Sequence, residues 1–368
     1  MNILQVCAYA APYPGNFLKS LLELDNKLKL EGHKTYYAFP ETARKFEWCK
    51  ALSKKTDVFF LPLAKARIKP KTYLNIKKIL TIKDIDIVHS HFELYDIPIA
   101  LVLPKKVKMF WHLHDAIEND YNKNSFIRKA LFKIHYRYFS KNSYLLSVSE
   151  KHKKFAVKLG FDENRTTTIL NGTDLNRIKE VDINSKKNNN FLIFGWDFDR
   201  KGVDLVINVA EKLYKEGYKF KVYVVGNEDT WKHKAFNDLE DMEWLIKQNF
   251  VQDVNELYAK VNTFLHASRA EGCSYALQEA IYSGLRIISS DIPENLFAKE
   301  IPTVYMFKNN DCNELYFKMK NVLDGKVEFK VEDKEKARRI IRDKYSIDVW
   351  SDNVIEEYKK WTTNYKLK

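Results

Sequence analysis

At 368 residues the chain is long enough for two domains, and a composition of 45% hydrophobic and 30% charged residues excludes disorder on the scale of a domain. No apolar run approaches the roughly 18–20 residues of a membrane-spanning helix. Residues 1–11 are too short, and lack the basic start, to be a signal peptide. The net charge of +13 lies wholly in one half: residues 1–175 hold 30 Lys and Arg against 17 Asp and Glu, and residues 176–368 hold 32 of each.

Cys7, Cys49, Cys273 and Cys312 form no CxxC pair, which argues against a zinc ribbon or a disulfide scaffold. They read as reduced thiols of a cytoplasmic protein. A basic half suits nucleic acid, anionic lipid or a phosphorylated small molecule. The aromatic or Cys/His signatures of nucleic-acid modules are missing, which demotes the first.

In chain order, 2–6 reads as a strand, followed by a Pro- and Gly-containing loop and a helix over 16–30 that stops at Gly32. Apolar runs at 35–38, Val58–Leu61, 85–88, 107–111, 143–148 and 167–170 alternate with helical patterns. The tract 185–190 (SKKNNN) has nothing to bury and reads as a linker. The alternation then restarts. Strands are expected at Phe191–Phe194, 221–225, Thr263–His266 and 285–289, with helices at 203–216, 253–260 and 278–283, and a final aromatic helix over 347–365. Continuous apolar strands alternating with helices predict two doubly wound α/β domains with parallel sheets.

The first strand–helix turn lacks GxGxxG, and GxxxxGK[ST] is also missing, so a dehydrogenase and a P-loop NTPase both lose ground. The strongest local signal is 268–291, SRAEGCSYALQEAIYSGLRIISSD, in which a strand runs into a loop bearing Glu271 and Gly272 and then a helix beginning near Tyr275. The N–H groups of that helix start offer an anion site. Glu271 and Glu279 could each accept hydrogen bonds from sugar or ribose diols. The plain alternative makes Glu271 a capping carboxylate and Glu279 a solvated helix residue.

The EGxxxxxxE arrangement followed by AxxxG resembles the E-x7-E signature of retaining glycosyltransferases of the GT-B fold, family 4. Other segments fall in the matching order: Phe194-Gly195 followed by Lys201-Gly202-Val203, the turn 170–174 (LNGTD), Ser147–Glu150 (SVSE), and His89-Ser90-His91 and His112-Leu113-His114-Asp115 at two strand ends. The resemblance implies two Rossmann-like domains facing across a cleft. Their expected extents are 1–180 for the acceptor, 190–345 for a nucleotide-sugar donor, and 346–368 as a helix returning to the first domain.

Residue by residue, the resemblance implies catalytic roles for His114, Glu271 and Lys201. Arg200, Lys201, Glu271, Gly272, Cys273, Ser274, Tyr275 and Glu279 would bind the donor, with Glu279 on the ribose and Lys201 on the diphosphate. Gly15, Asn16, His91 and Asp115 would line the acceptor cleft. No metal and no cofactor is expected, because cations and a helix N-terminus can carry the charge of the leaving diphosphate. Three departures stand out. Trp196 occupies a position where the family commonly has Arg, Cys273 and Ser274 stand where Phe and Gly are common, and the first loop keeps a single glycine, Gly15. Arg200 is the candidate replacement guanidinium.

His89 with His91, and His112 with His114, each project to one face of a strand. A closed zinc shell takes four ligands and no cysteine is near, so a cleft-lining role outweighs a metal site. His33 reads as a loop residue, and His152, among Lys151, Lys153 and Lys154, as solvated surface. The helix 125–141 sets Ile127, Ala130, Leu131, Ile134 and Tyr138 beside a stripe of Lys129, Lys133, Arg137 and Lys141. That pattern suits an anionic membrane. It also suits a helix packed on its own sheet, which pattern alone favours.

The expected function is therefore transfer of a sugar from a nucleotide-diphosphate donor to a saccharide or lipid-linked saccharide, in assembly of surface polysaccharide or glycolipid. The expected location is cytoplasmic, with peripheral attachment to the inner face of the membrane. Two rivals remain: a nucleotide-sugar epimerase or phosphorylase on the same architecture, and a non-catalytic binder of membrane or anionic polymer.

Overall fold

A computed structural model describes residues 1–114, 117–183, 189–236, 239, 242–327 and 330–363. The chain forms two compact units, Met1–Gly172 with Ile347–Lys368, and Thr173–Ser346. The change of unit falls at Gly172–Thr173, ahead of the polar tract; residues 184–188, most of that tract, lie outside the described residues, as do Asp115 and the chain after residue 363.

The first unit is built on β1 (Asn2–Cys7), β2 (Lys34–Pro40), β3 (Val58–Leu61), β4 (Ile87–His91), β5 (Lys108–Leu113), β6 (Ser143–Ser147) and β7 (Thr166–Thr168), in the order β3-β2-β1-β4-β5-β6-β7. All its pairings are parallel. The second unit holds β8 (Phe191–Phe194), β9 (Val222–Gly226), β10 (Leu245–Asn249), β11 (Thr263–His266), β12 (Arg286–Ser290) and β13 (Val304–Phe307), in the order β10-β9-β8-β11-β12-β13, again all parallel. Every residue of β4, β6, β11 and β12 is buried, because helices cover both faces of a parallel sheet.

The sequence reading missed β10 and β13, and both are edge strands. Edge strands are covered less completely. In β10 (LIKQN) burial alternates with exposure, so no continuous apolar run marks it. The helix expected at 253–260 shrinks to Asn255–Tyr258, flanked by turns.

The helix Ile347–Thr363 belongs to the first unit and lies along Gly15–Leu30. Trp350, Val354, Ile355 and Tyr358 enter the core with Phe17, Leu21 and Phe110. At the rim, Lys27 Nζ reaches Asp348 Oδ1 at 2.6 Å and Asp352 Oδ1 at 2.7 Å.

Two surface assignments are overturned. His152 is fully buried, because on the helix Glu150–Leu159 it shares the inward stripe of Ala156 and Leu159 while its lysine neighbours point away. The segment 125–141 does not lay the stripe of Ile127, Leu131, Ile134 and Tyr138 on the sheet, and meets the core through Phe132 and Tyr136 instead. It is an α-helix, Phe126–Ile134, continued by a π-helical turn, His135–Phe139, and no side chain of Phe126–Ile134 is buried.

Candidate active site

In doubly wound sheets, ligands bind outside the carboxyl ends of the strands where the strand order reverses. The reversal lies between β1 and β4 in the first unit and between β8 and β11 in the second. The chemistry-bearing residues of each unit gather there.

In the second unit, the loop after β8 carries Trp196, Arg200 and Lys201, and the loop after β11 carries Glu271. The two are bound to each other. The Arg269 N–H donates to Arg200 O (2.8 Å), and its guanidinium forks onto both carboxylate oxygens of Asp204 (2.8 and 2.7 Å). Gly202 has φ +67°, and a Cβ there would run into Ala267 O, so the close approach needs glycine. Glu271 is thereby seated with Lys201 Nζ 2.6 Å from Oε1 and Arg200 Nη1 3.2 Å from Oε2.

Burial alone would push the Glu271 carboxyl up. Lys201, His266 and Arg200 outweigh it and hold the group down at about 2, so it is an ionised, buried acceptor. Arg200 also donates to Asp197 (2.6 Å), and its guanidinium lies 4.6 Å from the centre of the Trp196 ring, with Lys201 Nζ 5.1 Å from the same ring. Trp196, 45% exposed, thus roofs both cations.

The helix Tyr275–Tyr282 starts at this cluster. Ser274 caps it by accepting from the Leu277 N–H (3.3 Å), and Ser274 Oγ lies 2.8 Å from His266 Nε2. Asn295 Nδ2 donates to His266 Nδ1, which leaves Nε2 as the protonated nitrogen, and burial holds this imidazole down at about 4. Cys273 is buried and accepts from Gln278 Nε2 (3.3 Å), while Gly272 and Tyr275 are half-buried. Glu279 is not a solvated helix residue: it is buried and accepts a hydrogen bond from Arg177 Nη2. Asn255 fixes that partner by donating to Arg177 O (2.8 Å).

Arg177, His266, Asn295 and Arg269 escaped the sequence reading. Only Arg177 left a trace, three residues beyond the LNGTD turn.

In the first unit, His89 and His91 end β4, His112 lies on β5, and His114 follows it, with His91 fully buried and His114 partly exposed. His91 Nδ1 is 3.0 Å from His114 Nε2, and His89 Nε2 is 3.2 Å from His112 Nδ1. Phe92 lies on His114, ring centroids 4.5 Å apart, and Phe17 meets both His91 and His114 edge-on. Phe92 and Glu93 both have left-handed φ, +64° and +54°, a strain of order 1–3 kcal/mol each that packing around the site must offset. Gly15, φ +57°, opens the helix Gly15–Leu30, and Asn16 is buried behind it.

Donor atoms of His89, His91 and His112 lie within 4.8 Å of one another. Their Nδ1 atoms already engage Tyr358 Oη, His114 Nε2 and His89 Nε2, so the arrangement fits a hydrogen-bonded array rather than a converging metal shell.

The family model "Glycosyltransferase Family 4" matches residues 19–177 and "Glycosyl transferases group 1" matches 188–325. The capsular polysaccharide biosynthesis glycosyltransferase CapH of Staphylococcus aureus is 29% identical over 243 residues, spanning 61% of this chain and 67% of CapH. Among solved structures, a Rickettsia africae glycosyltransferase superposes with a TM-score of 0.78 at 17% identity, covering 98% of both chains. Anabaena HepE, solved in complex with UDP, does so at 0.78 with 14% identity over 98% of this chain and all of its own, and HepE was also solved with UDP-glucose. With both family models matching in order and this fold on both halves, the chain belongs to the GT-B glycosyltransferases of family 4, group 1.

Proposed function

We propose that the protein transfers a sugar from a nucleoside-diphosphate donor to a hydroxyl acceptor with retention at the anomeric carbon, in the assembly of a surface polysaccharide. The observation that carries this reading is the buried Glu271–Lys201–Arg200 cluster beside the Arg177–Glu279 pair, both next to the helix start at Ser274. HepE's complexes with UDP and UDP-glucose and CapH's role in capsule synthesis support it.

Glu279 accepts the ribose diol. Glu271, ionised, accepts from hydroxyls of the transferred sugar, and the backbone of Gly272–Tyr275 receives the phosphates. As the C1–O bond to the β-phosphate breaks, Lys201 and Arg200 stabilise the charge growing on that oxygen. The acceptor oxygen bonds C1 from the same face, and its proton passes to the departing phosphate. Arg200 supplies the guanidinium that Trp196 displaces. With two protein cations at the phosphate, we read the reaction as independent of a metal. Within the first unit, His114, hydrogen-bonded to His91, is read with Gly15 and Asn16 as the acceptor side.

Phe126, Ile127, Leu131, Ile134 and Tyr138 are each more than half exposed beside Lys129, Lys133, Arg137 and Lys141. We read this face as the seat of an anionic lipid surface, where a lipid-linked acceptor is met.

Calorimetric titration with UDP, GDP, ADP and CMP tests the donor site. One diphosphate is expected to bind wild type, and Glu279→Ala to lose it. Binding of none to the wild type overturns the reading.

A further inference from the structure

A cavity of about 490 Å³ opens at the carboxyl ends of the strands of the first unit. The loop after β3 brings Lys65 and Arg67 to it, the loop after β4 brings Phe92, Glu93 and Leu94, and Ile117 lies beyond β5. Its volume is in the range of roughly 300–1,000 Å³ common to small-ligand sites. Every one of these residues belongs to the first unit, so the cavity is formed without the second.

The two loops are tied together by the guanidinium. Arg67 donates through Nε to Leu94 O (3.4 Å) and through Nη2 to Glu93 O (3.0 Å). Of its five N–H donors, both on Nη1 and one on Nη2 remain for a ligand. Lys65 and Arg67 are exposed, and among the described residues neither joins an ion pair. Glu93 is anchored from below, since the buried Tyr136 hydroxyl donates to its Oε1 at 2.6 Å. Half-buried Phe92 and Leu94 and buried Ile117 add an apolar wall, and Phe92 carries it up to His114.

Backbone strain marks the same place. Among the described residues five non-glycine residues have left-handed φ, and three of them, Lys65 (+55°), Phe92 (+64°) and Glu93 (+54°), line this cavity. A glycine would relieve each, and strained side chains of this kind concentrate where a ligand is held.

We propose that this cavity binds a saccharide bearing an anionic group, a carboxylate or a phosphate. Arg67 and Lys65 take the anionic group through charge-assisted hydrogen bonds. Glu93 accepts from ring hydroxyls, and its charge disfavours a bare anion. Phe92, Leu94 and Ile117 cover the C–H face of the ring. Reading that saccharide as the acceptor rests on the function proposed above; binding at the cavity does not.

Ligand-observed NMR titration of the whole protein with methyl glucuronide, glucose-6-phosphate, methyl glucoside and inorganic phosphate tests the site. At least one anionic sugar should bind about tenfold tighter than methyl glucoside, the worth of one charged hydrogen bond, and tighter than inorganic phosphate. The tighter of the two identifies the anionic group. Arg67→Gln and Lys65→Gly should each weaken that sugar by about the same factor. Lys65→Gly also relieves a left-handed side chain, so its melting temperature should not fall and the loss of affinity is not misfolding. Glu93→Gln should narrow the preference for the sugar over inorganic phosphate. Failure of both anionic sugars to bind, equal binding of charged and neutral sugars, or full affinity in both cation variants overturns the site. Inorganic phosphate binding as tightly as the sugars overturns its saccharide character. UDP, GDP, ADP and CMP should titrate Arg67→Gln as they do wild type, so failure here is separate from failure of the donor site.

Discussion

Glu271 and Lys201 form a buried ion pair. Each is more than nine-tenths buried, and a charge so placed is tolerated only with its partner present. Lys201→Met should therefore destabilise the protein by about 3–5 kcal/mol, the usual cost of stranding a buried charge. The double variant Lys201→Met/Glu271→Gln, in which neither charge remains, should recover most of that loss in chemical denaturation and yet stay inactive. A double variant no more stable than the single one would show that packing, not the charge, sets the cost. Trp196 is read at the same scale: its ring covers both cations and limits the water that would screen them.

The helix Phe126–Ile134 and the π-helical turn after it are the element whose sequence pattern was most ambiguous. An amphipathic stripe describes equally a helix seated on a sheet and one seated on lipid, because both bury one face. The exposure of Ile127, Leu131 and Ile134 takes that stripe off the sheet. With roughly 1 kcal/mol from each Lys or Arg near an anionic surface, plus the apolar side chains, reversible attachment is within reach. In flotation with vesicles containing phosphatidylglycerol, wild type should co-migrate at low salt and a Leu131→Asp/Ile134→Asp variant should not. Neutral phosphatidylcholine vesicles should bind neither. Equal binding of wild type and variant would relocate the contact to another basic surface. The edge strand β10 teaches the converse lesson, since partial cover removes the apolar run by which a strand is recognised.

The molecule as a whole carries an unusual load of buried neutral histidine: His89, His91, His112, His114, His135, His152 and His266 are all pushed below the ordinary value of 6.5, chiefly by burial. A base with a depressed folded value binds fewer protons folded than unfolded. Its contribution is complete above pH 6.5 and is lost as pH falls toward the folded value. At pH 5.5 each fully depressed histidine withdraws about 1.4 kcal/mol, and Glu271, also depressed, adds to the loss only below about pH 4.5. The melting temperature should be level from pH 8 to 7 and fall steeply between 6.5 and 5, with proton uptake on unfolding. A level profile down to pH 5 would mean that these imidazoles stay protonatable in the fold.

Read alone, the sequence determined the two doubly wound sheets and singled out Glu271 and Glu279, both of which the structure buries against basic partners. Strand periodicity, helix stops and the EGxxxxxxE spacing are local properties, legible because each depends on neighbours within one or two turns. Tertiary structure decided everything that depends on which distant residues meet. It paired Glu279 with Arg177, seated Arg269 across two loops, buried His152 and left the face of Ile127 and Leu131 open. It also brought Gln5 of β1 to the hydroxyl of Tyr358, 353 residues away, a pairing no local spacing encodes.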